Sequence, residues 1–176
     1  MTIWFISDTH FGHRKIIEYC NRPFKDVGHM DEVMIANWNN KVGQNDIVYH
    51  LGDFALNKDP EKYLRRLNGQ KFLIRGNHDK RPRVDHGWAN IWDYRELRHE
   101  KQNIVLCHYA MRVWNKSHHG AIMLYGHSHG NLPGTDQSLD VGVDCWNYSP
   151  TSLEDIKRRL KTLPPYKQAD HHKIDL

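Results

Sequence analysis

Short apolar runs recur along the chain, and most of them stop at a polar motif. Ile3–Ile6 leads to Asp8, Ile47–Leu51 to Asp53, Phe72–Ile74 to Asn77, Ile104–Cys107 to His108 and Ile122–Tyr125 to His127. Runs this short and this uniformly apolar predict strands buried on both faces. Leu139, Val141, Val143 and Cys145 alternate with Asp140, Gly142 and Asp144, which predicts a half-exposed strand. Tyr94–Arg98 is expected to pair with the run from Ile104 through a polar turn at Glu100–Asn103. Helical periods fill the gaps. Met30, Val33, Met34, Trp38 and Val42 share one face. Tyr63, Leu64 and Leu67 share another, with Asp59 as N-cap, Pro60 in the first turn and Gly69 just past the end. Thr151-Ser152-Leu153-Glu154 is a capping-box pattern that opens a helix burying Leu153, Ile156 and Leu160, stopped by Pro164-Pro165. A shorter helix over Arg14–Tyr19 buries Ile16 and Ile17 and ends before Pro23. Strands alternating with helices predict an α/β layered fold in one domain, 1–176, with a loosely held tail over 167–176.

Composition narrows the class without naming it. The 176 residues are 39% hydrophobic and 26% charged, as in a globular domain with a real core. A net charge of +4 suits an anionic substrate and is too modest to mark a nucleic-acid binder. Three widely spaced cysteines, Cys20, Cys107 and Cys145, give neither a disulfide framework nor a thiolate zinc site and fit a reducing, cytoplasmic setting. No signal-peptide pattern and no apolar stretch of the ~20 residues a membrane helix needs is present.

The candidate chemistry sits where the runs stop. Asp8-Thr9-His10, Gly52-Asp53, Gly76-Asn77-His78-Asp79, His108 and Gly126-His127-Ser128-His129 follow one another in this order. Imidazole, carboxylate and amide oxygen are good ligands for divalent transition metals. Residues two apart at a strand end can leave one face together, and strand ends can converge on one crevice. The set is large enough for two adjacent ions and one spare histidine.

In these motifs the chain resembles the calcineurin-like metallophosphoesterases, whose signature is Asp-x-His, Gly-Asp, Gly-Asn-His-Asp/Glu, His and Gly-His-x-His. Ser7-Asp8-Thr9-His10-Phe11-Gly12-His13 and the compact length look like the small stand-alone bacterial and phage members. The resemblance implies a four-layer α/β sandwich, with two facing mixed β-sheets flanked by helices. It implies one metal on Asp8, His10, Asp53 and His129, and a second on Asn77, His108 and His127, with Asp53 bridging. His78 is then the general acid, oriented by Asp79. Adjacent residues of an extended segment point apart, so Asn77 can face a metal while His78 faces substrate. Two such ions share and activate a water for in-line attack on phosphorus, with Mn²⁺ the first choice and Fe, Ni²⁺ or Zn²⁺ also compatible.

Substrate is narrowed by exclusion. The family's protein phosphatases continue as Gly-Asp-x-x-Asp-Arg-Gly, whereas here Gly52-Asp53 runs on as Phe54-Ala55-Leu56-Asn57-Lys58, which argues against phosphoproteins. Short segments between motifs leave no room for a large cap and predict an open site, suited to a diester of a nucleotide or similar small molecule. A phosphomonoesterase with the same metals is the main alternative; a nuclease and a non-catalytic protein-binding scaffold rank lower. His13 is either a rim residue of the metal site or a plain loop histidine. Arg75, Lys80, Arg81 and Arg83 form a basic cluster that either captures phosphate or is a solvated loop, with Arg75 and Arg81 the candidate contacts. Trp114 and Trp146 either stack on a base or pack. His118-His119 is expected to be solvated, and Cys107 a buried strand residue.

Overall fold

A computed structural model describes residues 1–57 and 59–167. The expected loose tail, apart from Lys167, lies outside the described residues. In chain order the elements are β1 (Ile3–Ile6), α1 (Arg14–Tyr19), α2 (Val27–Lys41), β2 (Ile47–His50), α3 (Glu61–Leu64), β3 (Gln70–Ile74), β4 (Asn90–Trp92), β5 (Tyr94–His99), β6 (Gln102–Cys107), β7 (Ile122–Tyr125), β8 (Ser138–Asp140), β9 (Thr151–Ser152) and α4 (Leu153–Leu160), with three short 3-10 turns between them. Two mixed sheets face each other and are flanked by helices. The first has the order β4-β3-β2-β1-β9 and the second β5-β6-β7-β8. β1 to β4 run parallel, β9 antiparallel to β1; in the second sheet only the β5–β6 pair is antiparallel.

Strand alternation explains the layers. Phe5, Tyr49 and Ile74 point inward to meet Ile104, Leu106, Ile122 and Leu124 of the facing sheet, and Leu153, Ile156 and Leu160 of α4 close this core. Their neighbours Ile6, Val48 and Leu73 point outward onto Met30, Met34, Ile35 and Trp38 of α2 and onto α3. Val105, Cys107, Met123 and Tyr125 line the far face of the second sheet, where Trp114 and Ala121 cover them. Phe5, Tyr49, Phe72 and Trp92 are register partners or neighbours across four parallel strands, and their rings stack in sequence at 6.1, 5.2 and 5.6 Å. Such ring pairs add about 0.5–1.5 kcal/mol each beyond the area they bury.

The expected β5–β6 hairpin forms with Leu97 opposite Ile104. Glu100 and Lys101 both take positive φ at its turn, the handedness that matches strand twist. Three expectations shift. The helix at Tyr63 spans only Glu61–Leu64, because Arg66 and Leu67 bond back to Tyr63 and Leu64, three residues away, and tighten the end. Asp59 still caps it, accepting from the Lys62 amide at 3.3 Å. The cap of α4 is Ser152 rather than Thr151, with its hydroxyl accepting from the Asp155 amide, because Thr151 is held in β9 opposite Phe5. The 139–145 strand stops at Asp140, and Val143–Cys145 is a 3-10 turn. Its polar side is not solvated: Asp140 is buried and accepts from the Gly142 and Gly130 amides at 2.7 and 3.0 Å. The chain thereby leaves the second sheet and pairs Gly142 with Ser7 of the first.

Candidate active site and metal centre

Segments following β1, β2 and β3 of one sheet and β6 and β7 of the other meet at one edge of the molecule, and every sequence motif lies in them. Asp8, His10, Asp53, His127 and His129 all have positive φ, between 48° and 67°. Side chains other than glycine seldom adopt that region, at a cost of about 1–3 kcal/mol each. Backbone bonds between loops hold them there: Asp8 N–H donates to Gly52 O and His10 N–H to Asp53 O, each at 3.0 Å. Gly76 and Gly126 serve close approach. A Cβ at Gly76 would collide with the Asp53 carboxylate, and one at Gly126 with Ser7 and the Asp8 carboxylate.

Two groups of donor atoms result. Asp8, His10 and His129 form one, and Asp53, His108 and His127 the other, each with its ligand atoms within 4.8 Å of one another. Asp53 Oδ2 lies 3.7 Å from His10 Nε2 and 3.5 Å from His108 Nε2, so one carboxylate oxygen faces both groups. Asn77 joins the second group through Oδ1, 3.0 Å from His108 Nε2. All seven residues expected as ligands are thus gathered. His78 stands beside them, its ring 5.4 Å from that of His10 and its N–H donating to Asp53 Oδ1 at 2.8 Å.

These residues fit a cation. Asp8 Oδ1 and His10 Nε2 are buried polar atoms with no hydrogen-bond partner, a state that is costly unless something positive satisfies them. Burial pushes the Asp8 carboxyl up to about 7 and the His10 ring down to about 2. Burial would also raise Asp53, but the neighbouring His108 ring and the hydrogen bond from the His78 backbone amide hold it near 2, a committed anion. His108 Nδ1 lies 2.7 Å from the Leu51 carbonyl and so carries a proton, which leaves Nε2 aimed at the oxygens of Asn77 and Asp53. His129 is placed the same way. Its Nδ1 bonds Asp144 Oδ2 at 2.7 Å, and despite burial that carboxylate raises the ring to about 10. Metal uptake therefore competes with protons at Asp8 and His129. Binding is expected to release protons and to weaken as the solution is taken down from about pH 10, where His129 gains its proton, through about pH 7, where Asp8 does, as chelator competition would measure.

Sequence reasoning missed the layer behind the ligands. The Arg22 guanidinium, wholly buried, forks onto Asp144 with two bonds of 2.8 Å and donates to the backbone carbonyls of Asp8 and Thr9. Asp144 in turn orients His129, the carboxylate–histidine arrangement common around bound metals. Nothing marks Arg22 in a stretch that reads as a helix exit, and Asp144 falls on the polar side of an apparent strand. Cys20 also approaches His129 and Asp144, but Asp144 is committed to Arg22. His50 is a fully buried neutral ring, held near 3 by burial; it accepts from Gly52 N–H and meets Thr9 Oγ1 at 3.0 Å. Asp144→Ala should strand the Arg22 charge, costing about 3–5 kcal/mol in denaturant unfolding. It should also weaken metal binding by about 10–100-fold in chelator competition.

Other predicted residues divide. Asp79 does not orient His78 through its hydrogen bonds: its carboxylate accepts from the amides of Asp53, Phe54 and Gly76 at 2.8–2.9 Å, fixing the backbone that carries both Asp53 and His78. His13 lies at the rim, 3.4 Å from His10 through their Nδ1 atoms and with its ring 6.3 Å from that of His78. Arg75 is turned away and forked onto Asp93, and Arg83 onto Asp85. Arg81 lines a cleft with His78. Trp114 packs in the core with its N–H on Ala121 O, and Trp146 donates to Asp140 O under the Arg159 guanidinium, so both pack rather than present a face to a base. His118 and His119 sit exposed in a 3-10 turn, and Cys107 is buried in β6 as expected. Tyr109, which the sequence did not single out, is half exposed beside the second group, its ring 4.8 Å from that of His127.

Residues 1–143 match the family model of the calcineurin-like phosphoesterase superfamily domain. The chain belongs to that superfamily. The matched span includes every proposed ligand and ends just before Asp144. An uncharacterised protein of Methanocaldococcus jannaschii is 37% identical over 170 residues, covering 90% of this chain and 91% of that protein. The Gene 66 protein of Mycobacterium phage D29 is 27% identical over 180 residues, covering 82% and 89%. Among solved structures, a protein of unknown function from Aquifex aeolicus superposes with a TM-score of 0.71 at 26% identity, covering 90% of this chain and 98% of its own. Membership in this phosphoesterase superfamily, whose members are metal-dependent, supports a hydrolase, and the two donor groups are the candidate metal site.

Proposed function

We propose that this superfamily member is a dinuclear-metal phosphodiesterase acting on nucleotide-like or other small esters. The observation that carries the proposal is Asp53 Oδ2 facing both donor groups, the position of a carboxylate that bridges two ions. Asp8, His10, Asp53 and His129 would hold one ion, and Asp53, Asn77, His108 and His127 the other. When bound, such a pair activates the attacking water and neutralises phosphate oxygens, with Mn²⁺ the expected ion. The protein's own residues do the rest. Asp53 Oδ1 takes the His78 N–H, which sets the His78 ring at the edge of the ligand cluster. There it can protonate the oxygen that leaves phosphorus as the P–O bond breaks. His13 shares that rim, and the hydroxyl of Tyr109, 3.4 Å from Asn77 Oδ1, is near enough to meet a phosphate oxygen. No serine or cysteine nucleophile is required.

The openness of the site favours the diester. The described loops around the ligands are short, and Tyr109 and His127 reach solvent. The Mn²⁺-reconstituted protein is expected to prefer bis-p-nitrophenyl phosphate to p-nitrophenyl phosphate in kcat/KM. A clear preference for the monoester would replace this reading with a phosphomonoesterase of the same site. We place the protein in the cytoplasm on the strength of its unpaired cysteines.

A further inference from the structure

Bordering the candidate ligand cluster at His78 lies a cleft of about 210 Å³ lined by none of the seven candidate ligands. Its floor is apolar and nearly buried: Phe54, Leu73 and Trp88 are 2%, 1% and 4% exposed. Lys80 and Arg81 also line it, and both are exposed. Their neighbours in the basic cluster are neutralised, Arg75 by Asp93 and Arg83 by Asp85. Among the described residues neither Lys80 nor Arg81 has a carboxylate partner. His86 on the same wall faces Glu61 at 3.4 Å. Asp79, the acid that also lines the cleft, has its oxygens on backbone amides.

We propose that this cleft binds the leaving group of the reaction and that the group is a nucleotide. The inference rests on the phosphodiesterase reading, because His78 lines the cleft while its ring stands 5.4 Å from that of the candidate ligand His10. If His78 gives its proton to the departing oxygen, whatever that oxygen carries lies on the cleft side. Water supplies the new P–O bond, the old one breaks, and the nucleotide's 3′-oxygen leaves with the His78 proton. Phe54 and Trp88 offer an apolar floor for a ring system. Lys80 and Arg81 offer two unpaired cations for a second phosphate on the same group. The volume is below the ~300–1,000 Å³ of sites for drug-sized ligands, which limits the occupant to one ring system.

The test titrates the full-length, zinc-loaded protein with 5′-AMP and, separately, with adenosine and inorganic phosphate, following backbone amides by NMR. In parallel, the Mn²⁺ form is assayed on bis-p-nitrophenyl phosphate. AMP should shift the amides of Leu56, Asn57, Lys80, Arg81 and His86, and inorganic phosphate alone should not. Lys80→Ala/Arg81→Ala should weaken AMP about tenfold or more while adenosine affinity stays within about twofold. Hydrolysis without AMP shifts at these amides, or an unchanged AMP affinity in the double variant, would overturn the assignment and leave the phosphodiesterase reading standing. AMP shifts at the cleft with no hydrolysis would sink the catalytic reading and retain the cleft as a nucleotide site.

Discussion

Asp53→Ala is expected to leave a folded protein that no longer pairs two metal ions and hydrolyses diesters at least about 10³-fold more slowly. The scale follows from metal-ion catalysis being worth several kcal/mol, with each ~1.4 kcal/mol a factor of ten. Asp53 serves both donor groups through one oxygen and anchors the His78 amide through the other, so alanine removes the bridge and loosens the acid together. Asp53→Asn separates the two effects. An amide oxygen can still accept from His78 N–H, but the bridging charge is gone. If the asparagine variant binds metal at wild-type stoichiometry and retains most activity, Asp53 is not the bridge. Metal content by mass spectrometry and kcat on one diester decide this.

His78→Ala should lower turnover by about 10²–10⁴-fold on an ester with a poor leaving group, the usual range for general acid catalysis. Its ring belongs to neither donor group, so metal content should stay near normal. The loss should shrink for a p-nitrophenolate leaving group, which needs little protonation. A uniform loss across leaving groups would remove His78 from the acid role and make it a phosphate contact instead.

How far the sequence reaches can be seen in particular residues. The candidate ligands are legible because each follows an apolar run, and a run of strand period carries its successor to a sheet edge. The inner and outer faces of β1, β2, β6 and β7 follow from the same alternation. The support layer was not legible, because its logic is long-range: Arg22 and Asp144 are 122 residues apart and meet only once both sheets are assembled. Asp140 and Gly142 look like the wet side of a strand, yet they are buried because that segment crosses between sheets. The way Asp79 supports His78, through the backbone, is hidden for a related reason. Its place beside His78 in sequence suggests a partner for the ring, whereas three amides from two loops compete for its carboxylate and hold it. The wall of the cleft is equally hidden, since Phe54 and Trp88 come together only when β2 and β4 dock on β3.

The central claim is that Asp53 joins two metal sites into one catalytic centre. It is tested most directly by titrating metal-free protein with Mn²⁺ while recording bis-p-nitrophenyl phosphate hydrolysis. The account predicts that activity rises to a plateau at two equivalents of metal per chain, with little turnover at one. A plateau at one equivalent, or no hydrolysis with two ions bound, would contradict it.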